Sequence, residues 1–329
     1  MPVYTIVKFK NMSPLHIGAG RSEYDTASPY LYSDTISGAL ASLYAQLKED
    51  KGVYEFLKSF AVSSAFPYSG NAYYLPKPAG RLAFNGTDED LVRKKAKKIK
   101  FIEHSIWNQV VAGQQPTISQ EQFNGEFLVS AQDASSFKMP YTTAVHQRVA
   151  VSRDGMSDAV PFFFEWKFFA KDAGLYCIID AEPAVMEELK NLFEELGERG
   201  LGSDRSVGGG MFDVEFSVIE LPDVNDADSI MLLSQYIPCE EELKEIHLED
   251  SRYELSQRDG YMSGSSVTGF RHLLKKAVYM FNTSSVLKTR NCPTGCVVNV
   301  APEWNDEKMH PVYRSGRSLA LPIKTVDYE

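Results

Sequence analysis

The chain has 329 residues, 43% hydrophobic and 24% charged, with 44 Asp and Glu against 34 Lys and Arg. That length supports about two domains with substantial cores. No run of eighteen apolar residues occurs, and the opening MPVYTIVKFK lacks the charged-then-apolar order of a signal peptide, so a cytoplasmic globular protein is expected and a membrane-spanning or secreted one is not.

The formal net charge of −10 is unevenly spread, because residues 1–150 carry 16 Lys and Arg against 13 Asp and Glu and the remainder is strongly acidic. A free-standing, non-specific nucleic-acid binder relies on neutralising a phosphate backbone, which this balance disfavours. Contacts to a polyanion are expected to be local and mainly N-terminal, while acidic surface elsewhere meets solvent or basic partner proteins.

Val3–Lys10 alternates apolar and polar residues and reads as a half-buried strand. After a turn at Pro14–Gly20, Ser33 stands as a helix N-cap with Asp34 in the first turn, where the helix dipole favours a carboxylate. Ile36, Leu40, Leu43, Tyr44 and Leu47 follow at helical spacing, so Ser33 and Asp34 are read as structural rather than catalytic. Short strands are predicted near Ala61–Pro67 and Ala72–Leu75. The run RKKAKKIK, Arg93–Lys100, puts six basic residues in eight behind Asp88, Glu89 and Asp90; it is either a solvated helix face or a contact surface. Ser135–Arg153 has too few periodic apolar residues for core and strand formers around His146–Ser152, which reads as an exposed β-hairpin. Pro161–Ala170 and Leu175–Asp180 read as a second hairpin across Lys171–Gly174.

A helix at Val185–Leu196, a glycine-rich loop and a strand at Met211–Ile219 complete the first half, in the βαββαβ order of a ferredoxin-like unit. The loop is the most informative segment: LFEELGERGLGSDRSVGGGMFDVEF, Leu192–Phe216, holds six glycines within fourteen residues. Phosphate-cradling nucleotide loops run strand, glycines, helix and carry a Lys-Ser/Thr pair. This loop runs helix, glycines, strand and has no such pair, leaving a mobile linker or a docking surface. Arg205, flanked by Ser203, Asp204 and Ser206, suits a polyanionic backbone such as RNA. After Pro222 the pattern restarts with a strand at Ile230–Ile237, a helix-prone acidic stretch at Glu240–Asp250 and short strands up to Lys324.

The four cysteines, Cys177, Cys239, Cys292 and Cys296, fit a reducing compartment, and NCPTGC reads as an ordinary turn built by Pro293 and Gly295 rather than a zinc site. Among the histidines at 16, 104, 146, 247, 272 and 310 there is no HExxH, and no GxSxG or closely spaced acidic pair in an apolar frame occurs either. No catalytic residue, metal or cofactor is expected.

FKNMSPLHIGAG (Phe9–Gly20), SDTISGAL (Ser33–Leu40), the glycine loop, YELSQRDGY (Tyr253–Tyr261) and HPVYRSGRSLALPI (His310–Ile323) together resemble the RAMP proteins of CRISPR systems. The similarity is strongest to the subunit of type III-A (Csm) effector complexes that holds the 5′ tag of the CRISPR RNA. The resemblance implies an α+β fold of two ferredoxin-like (RRM-like) domains. Residues 1–222 would form the first, with a basic insertion at about 88–104 and a β-hairpin thumb at about 135–155; residues 223–329 would form the second, degenerate one. It also implies a non-catalytic scaffold that binds CRISPR RNA by its 5′ tag, docks the large polymerase/cyclase-like subunit beside the RAMP backbone subunit, and binds neither membrane nor DNA directly. The expected RNA-binding residues are His16, Gly18, Lys94, Lys95, His146, Arg148, Arg153, Gly202, Arg205, Ser206, Gly208, Gly209 and Gly210. The alternative is a metal-independent CRISPR RNA-processing endoribonuclease with His16 as general base for attack by a ribose 2′-hydroxyl.

Overall fold

The computed structural model describes residues 1–18, 27–48, 52–82, 84–85, 94–151, 158–262, 270, 272–289, 291–304 and 309–326. The N-terminal half contains β1 (Val3–Lys10), α1 (Ser33–Lys48), α2 (Val53–Lys58), β2 (Phe60–Val62), β3 (Phe66–Ser69), β4 (Ala72–Pro76), β5 (Phe101–Glu103) and α3 (His104–Val111). It continues with β6 (Phe123–Asn124), β7 (Phe127–Leu128), β8 (Tyr141–Ala150), β9 (Val160–Phe169), β10 (Ala173–Ala181), α4 (Pro183–Arg199) and β11 (Asp213–Glu220). The C-terminal half contains β12 (Ser229–Leu232), α5 (Glu240–Glu245), β13 (His247–Arg252), β14 (Leu255–Arg258), β15 (Val278–Phe281), β16 (Val286–Lys288), β17 (Val297–Asn299), β18 (Tyr313–Ser315) and β19 (Ala320–Ile323).

A nine-stranded sheet in the order β11-β1-β10-β3-β4-β5-β7-β6, with β2 also on β10, organises the first half. β1 lies between β10 and β11, antiparallel to both, with Val7 opposite Cys177 on one side and Phe216 on the other. Both of its faces are covered from Ile6 to Phe9, so the strand is buried there on both sides rather than half-buried. Val7 and Phe9 pack with Ile36 and Leu40 of α1 and Leu189, Leu192 and Phe193 of α4. Ile6 faces the opposite core, where Tyr176 and Ile178 meet Met231, Leu233, Val286, Leu321 and Ile323 from the C-terminal half. That half forms a four-stranded sheet, β13-β16-β12-β19, with β14-β15 and β17-β18 as separate ribbons. Helices α1, α2 and α4 therefore cover one face of the large sheet, the C-terminal sheet and α3 cover the other, and the two halves share a core.

The structure corrects several sequence expectations. β9 does not pair with β10; it pairs along ten residues with β8, from Tyr141 opposite Phe169 to Ala150 opposite Val160. The hairpin strands are thus Tyr141–Ala150 and Val160–Phe169, so the second strand of the hairpin is one the sequence paired with β10, and β10 is released to become an inner strand. Glu240–Asp250 divides into α5 and β13. Cys239 and Cys296 form a disulfide while Cys177 and Cys292 are free, which departs from the expectation of four cysteines suited to a reducing compartment, because the partner of Cys296 lies 57 residues away and not in its own turn. The NCPTGC turn is held instead by Glu242, whose carboxylate accepts from the Thr294 and Gly295 amides at 2.7 and 3.0 Å.

Ser33 is not an N-cap either. The Ile36 amide reaches the Tyr32 carbonyl at 3.1 Å, and the Ser33 hydroxyl accepts the Gln235 amide of the C-terminal half at 2.8 Å. Asp34 is 5% exposed and receives two hydrogen bonds from Arg258, at 3.0 and 2.9 Å, and a third from Arg314. Arg314 also donates to the Asp259 carbonyl at 3.0 Å. Burial pushes the Asp34 carboxyl up, but Arg258 and Arg314 more than offset it and hold it below the usual carboxylate range. Three segments distant in sequence meet in one buried ion cluster.

Removing one partner from a buried pair leaves an uncompensated charge and costs about 3–5 kcal/mol. Asp34→Ala should therefore lower unfolding free energy by that order in urea titrations at pH 7. Because the folded carboxyl is depressed, its contribution is complete above the unfolded value near ~3.9 and is lost as pH falls through the folded value. The stability gap between wild type and variant should thus be constant from neutral pH to about 4 and close below it; a gap under about 1 kcal/mol at pH 7 would contradict the cluster's role.

Candidate nucleic-acid interface

Ser13–His16, just beyond β1, is hydrogen bonded on both edges. On one edge the Leu15 amide donates to the Lys167 carbonyl at 3.0 Å and the Lys167 amide returns to Leu15 at 2.9 Å, docking the strap onto β9. On the other edge the amides of Ser203 and Gly210 donate to the carbonyls of His16 and Pro14, both at 2.9 Å, and Ser13 and Met211 are bonded at 2.9 and 2.7 Å. The glycine loop and the hairpin are thereby locked to one short segment.

The glycines of the loop divide by role. Gly202 and Gly210 have φ of +81° and +68°, and a methyl on either would collide with the backbone, at the His16 carbonyl and the Leu201 carbonyl respectively. Gly209 faces Trp166, whose ring would lie 3.1 Å from an added methyl. Gly208, at φ +86°, borders open space. Between them Arg205–Val207 forms a single 3-10 turn with Arg205 and Ser206 exposed. The loop is a packed, hydrogen-bonded platform that lifts those two side chains into solvent.

The hairpin has two different faces, since residues paired across an antiparallel ladder share a face and alternate along each strand. Phe162, Phe164, Trp166 and Phe168 project to one side together with His146 and Arg148. Phe164 and Trp166 have ring centroids 4.8 Å apart, and Phe168 lies 5.6 Å from His146. Arg148 sits 5.3 Å from the Phe164 ring and pairs with Asp204 of the glycine loop. The opposite face carries Val145, Val149 and Phe163, all more than half exposed. Sequence inspection took PFFFEWKFFA only as a strong strand; the signal for more was an aromatic at every second position from 162 to 168.

His16 stacks on Phe164 with centroids 4.1 Å apart, and its Nδ1 lies 2.7 Å from the Glu165 carbonyl oxygen. At 1% exposure it is a wall of the site, with a buried Nε2 that has no partner. Gly18 is exposed and bridges to Ala27. Nearby, Lys167 is pushed down to about 8 by burial, donates to the Pro29 carbonyl at 2.9 Å and lies 4.4 Å from the Tyr141 ring.

The structure sets Arg148 of the hairpin against Asp204 of the glycine loop and Trp166 against Gly209, with His146 on the same hairpin face as Arg148 and Gly202, Arg205, Ser206, Gly208 and Gly210 on the same loop. It does not bring Lys94 and Lys95 there. Lys95 donates to the Gln120 carbonyl at 3.3 Å and neighbours Phe123 of β6, at the opposite edge of the nine-stranded sheet from β11. Arg153, with the start of the basic run at Arg93, lies outside the described residues. No helix among the described residues is long and apolar enough to cross a membrane.

These features are those of a RAMP protein, and the chain belongs to the RAMP superfamily, whose family model matches residues 8–213. Residues 225–323 match the model described as the CRISPR Csm4 C-terminal domain. The CRISPR system Cms protein Csm4 of Thermococcus onnurineus (strain NA1) is 26% identical over 219 residues, covering 63% of this chain and 69% of that protein. A chain in the crystal structure of a Csm3-Csm4 subcomplex of the type III-A CRISPR-Cas interference complex superposes with TM-score 0.64 at 17% identity, over 98% of this chain and 100% of that one. A chain of a Csm1-Csm4 cassette in complex with cA4 gives 0.61 at 18% identity, over 99% and 100%. At these identities the two superpositions establish shared fold.

Gly210→Ala should unfold at markedly lower temperature than wild type, because positive φ and a backbone collision combine to cost several kcal/mol, on the order of 3. Gly208→Ala meets open space and should cost only about 1 kcal/mol, the penalty for an L residue at positive φ. Equal melting temperatures for the two variants would show that the loop is not packed as described.

Proposed function

We propose that the chain is a non-catalytic, RNA-binding scaffold subunit of a type III-A CRISPR effector complex, holding the 5′ tag of the CRISPR RNA in the groove between hairpin and glycine loop. The convergence of Arg205 and Ser206 on the loop with His146, Arg148 and an aromatic row on the hairpin carries this reading. Single-stranded RNA is held by a backbone-tracking cationic groove combined with ring faces on which bases stack, and both components line this groove. The 141–169 hairpin is the thumb.

Residues 1–222 and 223–329 are read as two ferredoxin-like domains, the second degenerate. Support comes from strand order: β11-β1-β10-β2/β3 and β19-β12-β16-β13 both run fourth, first, third, second, and the helix α5 falls between the first and second strands of the second sheet in sequence. The boundary falls between the two family-model matches. By analogy with the Csm1- and Csm3-containing assemblies to which its fold is similar, the partners are a large polymerase/cyclase-like subunit and a RAMP backbone subunit, in the cytoplasm. Lys94 and Lys95, remote from the groove, then serve a neighbouring subunit or a different stretch of RNA.

An endoribonuclease role for His16 is disfavoured by its burial, since a general base must come within hydrogen-bond reach of the 2′-hydroxyl and Phe164 and Glu165 enclose the ring.

The test is RNA affinity at physiological salt for the isolated chain against the chain assembled with its partner subunits. Weak binding alone and tight retention in the assembly is the expected result, because the acidic C-terminal half opposes free association with a polyanion. Within the assembly, Arg205→Ala should weaken tag-RNA binding by about 1–3 kcal/mol, the worth of a charge-assisted phosphate contact. Tight binding by the chain alone, or RNA cleavage in EDTA, would overturn the scaffold reading.

A further inference from the structure

The ion pair between Arg148 and Asp204 joins the two walls of the groove. Arg148 lies on β8, the outer strand of the hairpin, which is bonded to β9 and not to the strap. No other ion pair links β8 to the glycine loop among the described residues. Asp204 is presented from the loop at φ +58°, a conformation that few non-glycine residues adopt. The loop enforces it, with the Val207 and Gly209 amides both bonded to the Asp204 carbonyl at 3.1 Å. The carboxylate is thus aimed at the hairpin by backbone that has little freedom to turn it away.

We infer that Asp204 is a built-in counterion: its carboxylate holds the place on Arg148 that a phosphate of single-stranded RNA takes, latching the hairpin to the glycine loop until RNA displaces it. The inference rests on the RNA-binding reading of this groove. One oxygen of Asp204 meets one guanidinium nitrogen, whereas a planar fork of N–H donors is best matched by two oxygens of one anion. Both side chains are about a third exposed, 36% for Arg148 and 31% for Asp204, and ion pairs in that setting are weak. A phosphate with two oxygens, arriving with neighbouring contacts at Arg205 and Ser206, competes on favourable terms. The rings of Phe162 and Phe164, 5.9 and 5.3 Å from the guanidinium, remain beneath Arg148 when its counterion changes, so the cation stays in position.

The exchange also has a selective effect. An anion that cannot fill the groove gains one contact and loses the latch, while a strand that also stacks on the aromatic row and reaches Arg205 gains several. The latch therefore raises the threshold for isolated phosphates and short anions more than for the cognate strand.

The test uses the 329-residue chain and its Asp204→Asn variant. Asparagine keeps the size of the side chain and tolerates positive φ, so the loop is retained while the charge is removed. Two readouts are needed. Backbone amide exchange in β8 (Tyr141–Ala150) of the RNA-free protein should be at least about threefold faster in the variant, because β8, unlike β9, is not held by the strap and loses its ion pair to the loop. Affinity for a labelled ten-nucleotide single-stranded RNA of mixed sequence at low ionic strength should rise about fivefold, with no change in Glu194→Gln, which removes an exposed charge on α4. Combining Asp204→Asn with Arg148→Ala should bind no more tightly than Arg148→Ala alone. Unchanged exchange in β8 would overturn the latch itself. Faster exchange with unchanged or weaker RNA affinity would overturn the counterion role, and faster exchange with no RNA binding by either protein, alone or assembled with its partner subunits, would sink the RNA reading of the groove and the inference with it.

Discussion

Four residues, Ser13–His16, bear the geometry of the proposed site. A segment with hydrogen bonds on both edges behaves as a strand between strands, and here its neighbours are not sheet but a projecting hairpin and a glycine loop. Because β1 anchors the segment to the large sheet, between β11 and β10, the hairpin and loop inherit a fixed position relative to the core. This also explains why the loop needs glycine where it does. Gly202 and Gly210 lie at the points where the loop backbone comes against His16 and folds back on Leu201, whereas Gly208 only shapes the exposed turn. A sequence rich in glycine thus yields a packed, hydrogen-bonded platform that displays Arg205 and Ser206 to solvent.

The second constraint is the buried Asp34 cluster. Taking a carboxylate out of water is costly unless charge and hydrogen bonds are returned to it, and Arg258 and Arg314 supply both. The arrangement ties the start of α1 to β14 and β18, so the C-terminal half is fixed against the large sheet by polar registry as well as by the shared apolar core. Tyr32 adds its ring 4.9 Å from the Arg258 guanidinium. YELSQRDGY and HPVYRSGRSLALPI, far apart in the chain, meet SDTISGAL at one carboxylate.

Local pattern in the sequence was sufficient for β1, α1, β4, α4 and β11, whose period and punctuation are unambiguous and whose partners are regular. It failed where pairing is decided at a distance. β9 and β10 are separated by a turn-like Lys171–Gly174, and adjacency suggested a hairpin, yet the hydrogen bonds of β10 go to β1 and β3 while β9 joins β8. Ser33 and Asp34 looked like local helix-start chemistry because their true partners, Gln235, Arg258 and Arg314, are some 200 residues or more away. The same limit hid the Cys239–Cys296 pairing. For the site, the glycine loop and Arg205 were legible as a platform and a cation, and Arg148 as a hairpin cation. The pairing of Arg148 with Asp204 and the enclosure of His16 were not, because both depend on how the strap brings loop and hairpin together. Lys94 and Lys95 were read as contacts from charge and from the resemblance, neither of which says where they lie, and the structure puts Lys95 by β6 at the far edge of the large sheet from β11.

If the groove between hairpin and glycine loop holds RNA, its ring faces and the exposed turn lie against nucleotides in the assembled particle. Ultraviolet crosslinking of the CRISPR RNA within the intact complex, followed by peptide mapping, reads that contact directly. The account predicts crosslinks concentrated in 160–169 and 200–211, with Phe162 or Trp166 among the modified residues. Crosslinks confined to the basic stretch around Lys94–Lys100, with none in either segment of the groove, would contradict it.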